Sequence, residues 1–163
     1  MHKNSDTLFI YIGSNRWVAL FACLLLLTAC HEKRTYSHYA AVNVEGWQRM
    51  DTVAFYIPPQ HDGLHTLDLQ LRATTAFPFT HLTMLMERTT YPTHHTRRDT
   101  VRCQITDRNG MLLGKSGISS TELTYHLGSM SLHEGDSMVI KLSHCMQREP
   151  LPGIMDIGIE VGR

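Results

Sequence analysis

Apolar residues recur at every second position in six stretches of this chain, and turn residues fall between them. Val53, Phe55 and Ile57 share one face of a predicted strand that ends at Pro58-Pro59. Leu67, Leu69 and Leu71 share another, with Asp68, Gln70 and Arg72 on the opposite side. Leu82, Met84 and Met86 form a third set, Val101, Cys103 and Ile105 a fourth, and Met138, Ile140 and Leu142 a fifth. Ile157, Ile159 and Val161 give a sixth near the end. Successive side chains of a strand point to opposite faces, so period two marks strands with one buried face. Helical periodicity is hard to find in the same region.

Turn chemistry supports the division. His61-Asp62-Gly63 and Arg108-Asn109-Gly110 each set a residue tolerant of left-handed geometry beside a glycine. Asp107 to Gly110 is the strongest hairpin signal, and His133-Glu134-Gly135-Asp136 is a further turn. Residues 91–98 are polar, contain Pro92 and predict an exposed loop. Residues 123–132 fit a short helix or an irregular strand equally. Alternating strands spaced by turns, without long helices, predict an all-β fold: an antiparallel β-sandwich of about seven to nine strands, with a small closed barrel as the alternative.

The first thirty residues carry a different pattern. His2, Lys3 and Arg16 precede an unbroken apolar run from Trp17 to Leu27, as a charged n-region precedes an h-region. Those eleven residues are about half of the ~20 that a spanning helix needs. The run closes on Leu27-Thr28-Ala29-Cys30, which resembles the lipobox cut by bacterial signal peptidase II just before a lipid-modified cysteine. The expected organisation is a lipoprotein signal peptide over 1–29, a lipidated tether over 30–37 beginning at an acylated (palmitate-bearing) Cys30, and a β-sandwich over 38–163. An uncleaved short anchor is the alternative.

Removing residues 1–29 from 163 leaves 134, enough for one domain with its own core. Fifteen Lys+Arg less Lys3 and Arg16 leave 13, and fifteen Asp+Glu less Asp6 leave 14. A near-neutral domain with interspersed charge predicts no nucleic-acid partner. Of four cysteines, Cys23 leaves with the signal and Cys30 takes the lipid, so Cys103 and Cys145 remain. An oxidising envelope permits their pairing. Strand phase opposes it: Cys103 falls in step with inward Val101 and Ile105, Cys145 in step with Lys141 and Ser143, unless a bulge resets one of them.

Motifs for chemistry are incomplete. Gly114-Lys115-Ser116 ends like a phosphate-binding loop, but position 109, where that motif needs glycine, is Asn. His94 and His95 are adjacent and would face opposite sides of a strand, and His61 with His65 lack a third ligand at a recognisable spacing. No Gly-x-Ser-x-Gly elbow occurs, and Cys103 reads as packing rather than as a nucleophile. We expect no catalytic residues, no metal, no cofactor and no enzymatic activity. Aromatic features stand out instead. Gly46-Trp47 precedes the first clear strand, and Phe77-Pro78-Phe79 interrupts two strands with a rigid kink whose aromatic–proline bond is a candidate for a cis peptide. The triplet reads either as a corner of the core plugged by two rings or as an anchor for a partner.

These pieces together resemble the gliding motility lipoprotein GldH family of the Bacteroidota. A lipobox precedes Gly46-Trp47 and Asp51 with Phe55, and then Leu71-Arg72-Ala73-Thr74-Thr75 leads into Phe77-Pro78-Phe79 and His81-Leu82. Asn109-Gly110 through Gly114-Lys115-Ser116-Gly117 is similar to the family's glycine-spaced turn, and Leu151 to Ile159 to its ending. Phe stands here for the more usual tyrosines, and His81 at an Asn position. The resemblance implies a non-enzymatic, lipid-anchored envelope protein, facing the periplasm, that supports gliding and type IX secretion through contacts with envelope protein partners. It carries over no catalytic residues. A glycan- or peptide-binding sandwich using exposed Trp47 or Tyr91 is the alternative.

The resemblance is densest over Arg72 to Leu82 and Leu151 to Ile159. Asp156 is the one charge inside a closing apolar run, and Arg72 occupies an outward strand position. We expect the last strand at a sheet edge, Arg72 and Asp156 close together beside Phe77 and Phe79, and this region to meet the partner.

Overall fold

The structure, a computed structural model, describes residues 34–43 and 45–163; the signal segment and Cys30 lie outside the described residues. Nine strands are formed among them: β1 (Arg34–Ala41), β2 (Val53–Ile57), β3 (Gly63–Ala73), β4 (His81–Tyr91), β5 (His95–Gln104), β6 (Lys115–Ser116), β7 (Thr121–Leu132), β8 (Ser137–His144) and β9 (Ile154–Gly162). They build one five-stranded sheet in the order β1-β9-β3-β7-β6 and one four-stranded sheet in the order β2-β8-β4-β5. Every pairing is antiparallel. The sheets remain separate, so the fold is the expected sandwich and not the barrel.

The period-two sets all face inward. Leu67, Leu69, Leu71, Ile157, Ile159 and Val161 line the five-stranded sheet, and Leu82, Met84, Met86, Met138, Ile140 and Leu142 line the other. Apolar burial at about 25 cal/mol per Å² is the main favourable contribution to such a core. Cys103 is buried, Cys145 is exposed, and both are free thiols. Burial pushes the Cys103 thiol up to about 12.

Four expectations change. Residues Arg34 to Ser37, assigned to the tether, belong to β1 and pair with the end of β9. β9 is therefore an interior strand, flanked by β1 and β3, and the edge lies at β1. The expected loop over 91–98 shrinks to the Pro92–His94 turn, because β4 and β5 continue as a hairpin. Phe77-Pro78 is not a cis bond; Tyr91-Pro92 and Glu149-Pro150 are. Residues 123–132 resolve as strand, with a register shift opposite Leu67 and Asp68.

The sandwich has two distinct ends. β1 begins at the proximal end, which also carries the β2–β3 loop, the β4–β5 turn and the β7–β8 turn. The distal end carries the segments 42–43, 45–52, 74–80, 105–120 and 145–153.

Candidate functional site

Arg72 and Asp156 are register partners on β3 and β9, and their Nη1 and Oδ2 lie 3.7 Å apart on the outer face near the distal end. The pairing follows from the fold: both residues hold outward parity, and β3 lies directly beside β9. An ion pair this exposed is worth about 0.2–1 kcal/mol. Its surroundings add more. The Arg72 guanidinium sits 4.1 Å from the centre of the Tyr39 ring, a cation–π contact from β3 to β1. Tyr39 crosses the sheet to donate its O–H to Glu122 Oε1 on β7 at 2.6 Å. Burial, and then that bond to a carboxylate, push the phenol well above its ordinary range.

Gly158 makes this crossing possible. A Cβ at that position would lie 2.9 Å from the Tyr39 ring, so the absent side chain lets the ring lie across β9. Beside it, Gln70 Nε2 donates to Glu160 Oε2 at 2.7 Å, and Glu160 also holds Arg34 at 2.8 Å. Gln70 Oε1 is buried and has no partner among the described residues. The result is a polar layer reaching from β1 to β7.

The two phenylalanines nominated with this pair separate. Phe77 is buried in the core, its ring edge-on to Phe79 at 6.0 Å. The triplet is therefore the core plug, and Phe77 is not available at the surface; Phe79 is half-buried. Gly153, at φ +85°, lies so close to the Phe77 backbone that any Cβ there would collide with it. Trp47 also differs from the exposed position expected. It is fully buried, exchanges backbone hydrogen bonds with Leu151 at 2.9 and 2.8 Å, and donates Nε1–H to Asp51 O at 2.8 Å. His144 donates Nε2–H to Trp47 O at 3.0 Å and accepts from Met146 N–H at 3.2 Å, which fixes a neutral imidazole. Tyr91 stays half-buried against His94, with ring centres 4.8 Å apart.

Next to Asp156, a groove of about 440 Å³ opens between the end of β1 and the start of β9. Val42, Ala76, Pro152 and Met155 make it largely apolar. Among the described residues, no three His, Cys, Asp or Glu side chains converge as metal ligands do. Gly114-Lys115-Ser116 leads into and forms the two-residue β6.

Sequence reading missed Tyr39, Glu122 and Gln70. Gln70 and Glu122 were findable in principle, since Gln70 shares the outward parity of Arg72. Tyr39 sits on a strand without a hydrophobic alternation, and no sequence signal marks its reach across the sheet.

The fold and this surface define an open-edged all-β sandwich with an organised polar layer on one outer face and an apolar groove beside it. The chain belongs to the GldH lipoprotein family, whose sequence profile matches residues 34–161. Membership marks it as a gliding-motility-related lipoprotein and implies membrane anchoring in the cell envelope. No curated protein matches the chain. Among solved structures it is similar to the CBM22-1 xylan-binding domain of Paenibacillus barcinonensis Xyn10C, at a TM-score of 0.43 and 10% identity over 83% of this chain and 97% of that one. A crystal structure from Sulfurospirillum deleyianum is similar at a TM-score of 0.39 and 7% identity, over 76% of this chain and 96% of that one.

Proposed function

We propose that this chain is a non-enzymatic accessory subunit of a gliding and type IX secretion apparatus, held to a membrane of the envelope through acylated Cys30. It faces the periplasm and acts by contact with protein partners. The observation that carries the reading is the family match over 34–161, which spans nearly the whole folded domain. The placement of the Arg72–Asp156 pair supports it. That pair and its groove lie at the distal end, the end of the sandwich away from Arg34, where the chain continues toward Cys30. Two or more acyl chains, at about 0.8 kcal/mol per buried methylene, hold a protein on a bilayer durably, so the domain need only present a surface.

A deletion strain complemented with the wild-type gene should regain surface spreading and secretion of type IX cargo. Complementation with Cys30→Ala should restore neither, and that protein should take up no labelled palmitate. Full spreading and secretion with Cys30→Ala, or palmitate entering it, would contradict the anchored reading.

A further inference from the structure

Arg88 carries a charge into the space between the sheets. It shares the parity of Leu82, Met84 and Met86, so its side chain points inward rather than to solvent, and it is half-buried. Its Nη1 lies 3.8 Å from Met130 Sδ on β7, a weak acceptor. Its register partner on β5 is Arg97. Nearby carboxylates are already engaged: Asp99 by Arg97 at 2.8 Å, and Glu87 by Arg98 at 2.7 Å. Among the described residues, Arg88 makes no ion pair of its own, so two guanidiniums share one carboxylate on this inner face. Burial and the charge of Arg97 both work against the Arg88 cation, and Asp99 offsets them only in part.

A half-buried cation without a counter-ion destabilises a fold, and an apolar side chain of similar volume would serve the packing better. A planar guanidinium fork is suited to two oxygens of one phosphate or carboxylate. The location narrows the choice. Arg88 and Arg97 form the third register pair from the Pro92–His94 turn, at the proximal end where β1 begins. Arg34 follows Cys30 by four residues, so their Cα atoms can stand at most about 14 Å apart. If Cys30 is acylated, lipid headgroups lie within reach of this end at high local concentration.

We propose that Arg88, with Arg97 beside it, binds the phosphate of an anionic membrane lipid at the proximal end of the sandwich. The lipid phosphate supplies the missing counter-ion and fixes the domain's orientation on the bilayer, with the distal end that carries Arg72 and Asp156 away from it. The choice of a lipid, rather than free phosphate, rests on the lipoprotein reading above.

The test uses the full-length lipidated protein in an uncharged detergent, titrated separately with phosphatidylglycerol, phosphatidylcholine and inorganic phosphate. At a hundredfold excess over Kd, phosphatidylglycerol should raise the unfolding temperature by about 5 °C or more. Phosphatidylcholine should not, and inorganic phosphate should require at least ten times the concentration. Arg88→Met should lose the phosphatidylglycerol response and, without lipid, unfold at a higher temperature than the parent. Arg88→Lys, which keeps the charge but not the fork, should bind at least tenfold more weakly, and it reads the site even if Arg88→Met fails to fold. An equal response in the parent and both variants overturns the proposal, as does inorganic phosphate binding as tightly as the lipid. Palmitate labelling of the same preparation reads the lipoprotein assignment separately, so its failure and that of the Arg88 site are told apart.

Discussion

The two ends of the sandwich are closed in different ways. At the distal end, Trp47 is sealed under Leu151 and His144, and the Phe77 backbone rests on Gly153. At the proximal end, buried Gln60 of the β2–β3 loop exchanges backbone hydrogen bonds with Asp136 O and Gly135 N–H of the β7–β8 turn, both at 2.8 Å. Exposed pairs lie over this clasp: His61 with Glu134 at 3.0 Å and His133 with Asp62 at 3.4 Å. One end is closed by buried aromatic bulk, the other by a single polar clasp with solvated charge over it. Buried interlocks cost several kcal/mol to break, while exposed pairs are close to neutral. Stability at the distal end is therefore concentrated in its buried rings, whereas the charged outer pairs of the proximal end contribute little to it.

The contrast is sharpest at Trp47. Trp47→Ala should lower stability by about 3–5 kcal/mol, read as a fall in the urea midpoint with an unchanged m-value. A midpoint within error of the parent would remove the distinction between the ends.

His144 gives the same end a pH dependence. Burial lowers its folded pKa below the ordinary 6.5, so the unfolded chain binds the proton more tightly. Stability is then full above about 6.5 and declines as pH falls below it. His144→Gln should flatten that decline, and a parent stable without change from pH 7 to pH 5 would contradict the assignment.

Tyr39→Phe removes a hydrogen bond to a carboxylate and should cost about 1–2 kcal/mol, with the Arg72 contact retained. A loss no larger than that of a neutral surface change would mean the layer is not held by Tyr39. At the small extreme, His61→Ala should leave the unfolding midpoint within error of the parent, since both His61 and Glu134 are mostly exposed. A large loss there would show the charged outer pairs of the proximal end to matter as much as the buried rings of the distal one.

The six inward faces were readable because each keeps one parity over the stretch that shows it; in β9 that stretch begins after the register shift at Ile154. β7 was not, for a physical reason: Leu123 and Tyr125 face inward on odd numbers, Met130 and Leu132 on even ones. The register shift beside Gly128 admits Leu127 as an extra residue and reverses the alternation, which leaves a pattern with neither period. β1 was missed because an edge strand covered on one side needs few apolar residues, and Arg34 to Ala41 supplies small and polar ones. That omission also misplaced β9, since nothing else in the sequence says that its outer edge is taken. The outward parity of Arg72 and Asp156 was legible, and their pairing needed in addition that β3 and β9 lie side by side. Trp47 and Phe77 were legible as unusual, but burial depends on what folds over them, and Leu151 and Gly153 lie about a hundred and about eighty residues further on.

The central claim is that the distal outer face meets a partner in the envelope. It is tested most directly by capture from membranes, comparing the tagged lipidated parent with an Arg72→Ala, Phe79→Ala variant shown to unfold cooperatively. Gliding and type IX secretion components should co-purify with the parent and fall at least tenfold with the variant. Equal recovery of those components by the folded variant would contradict the claim.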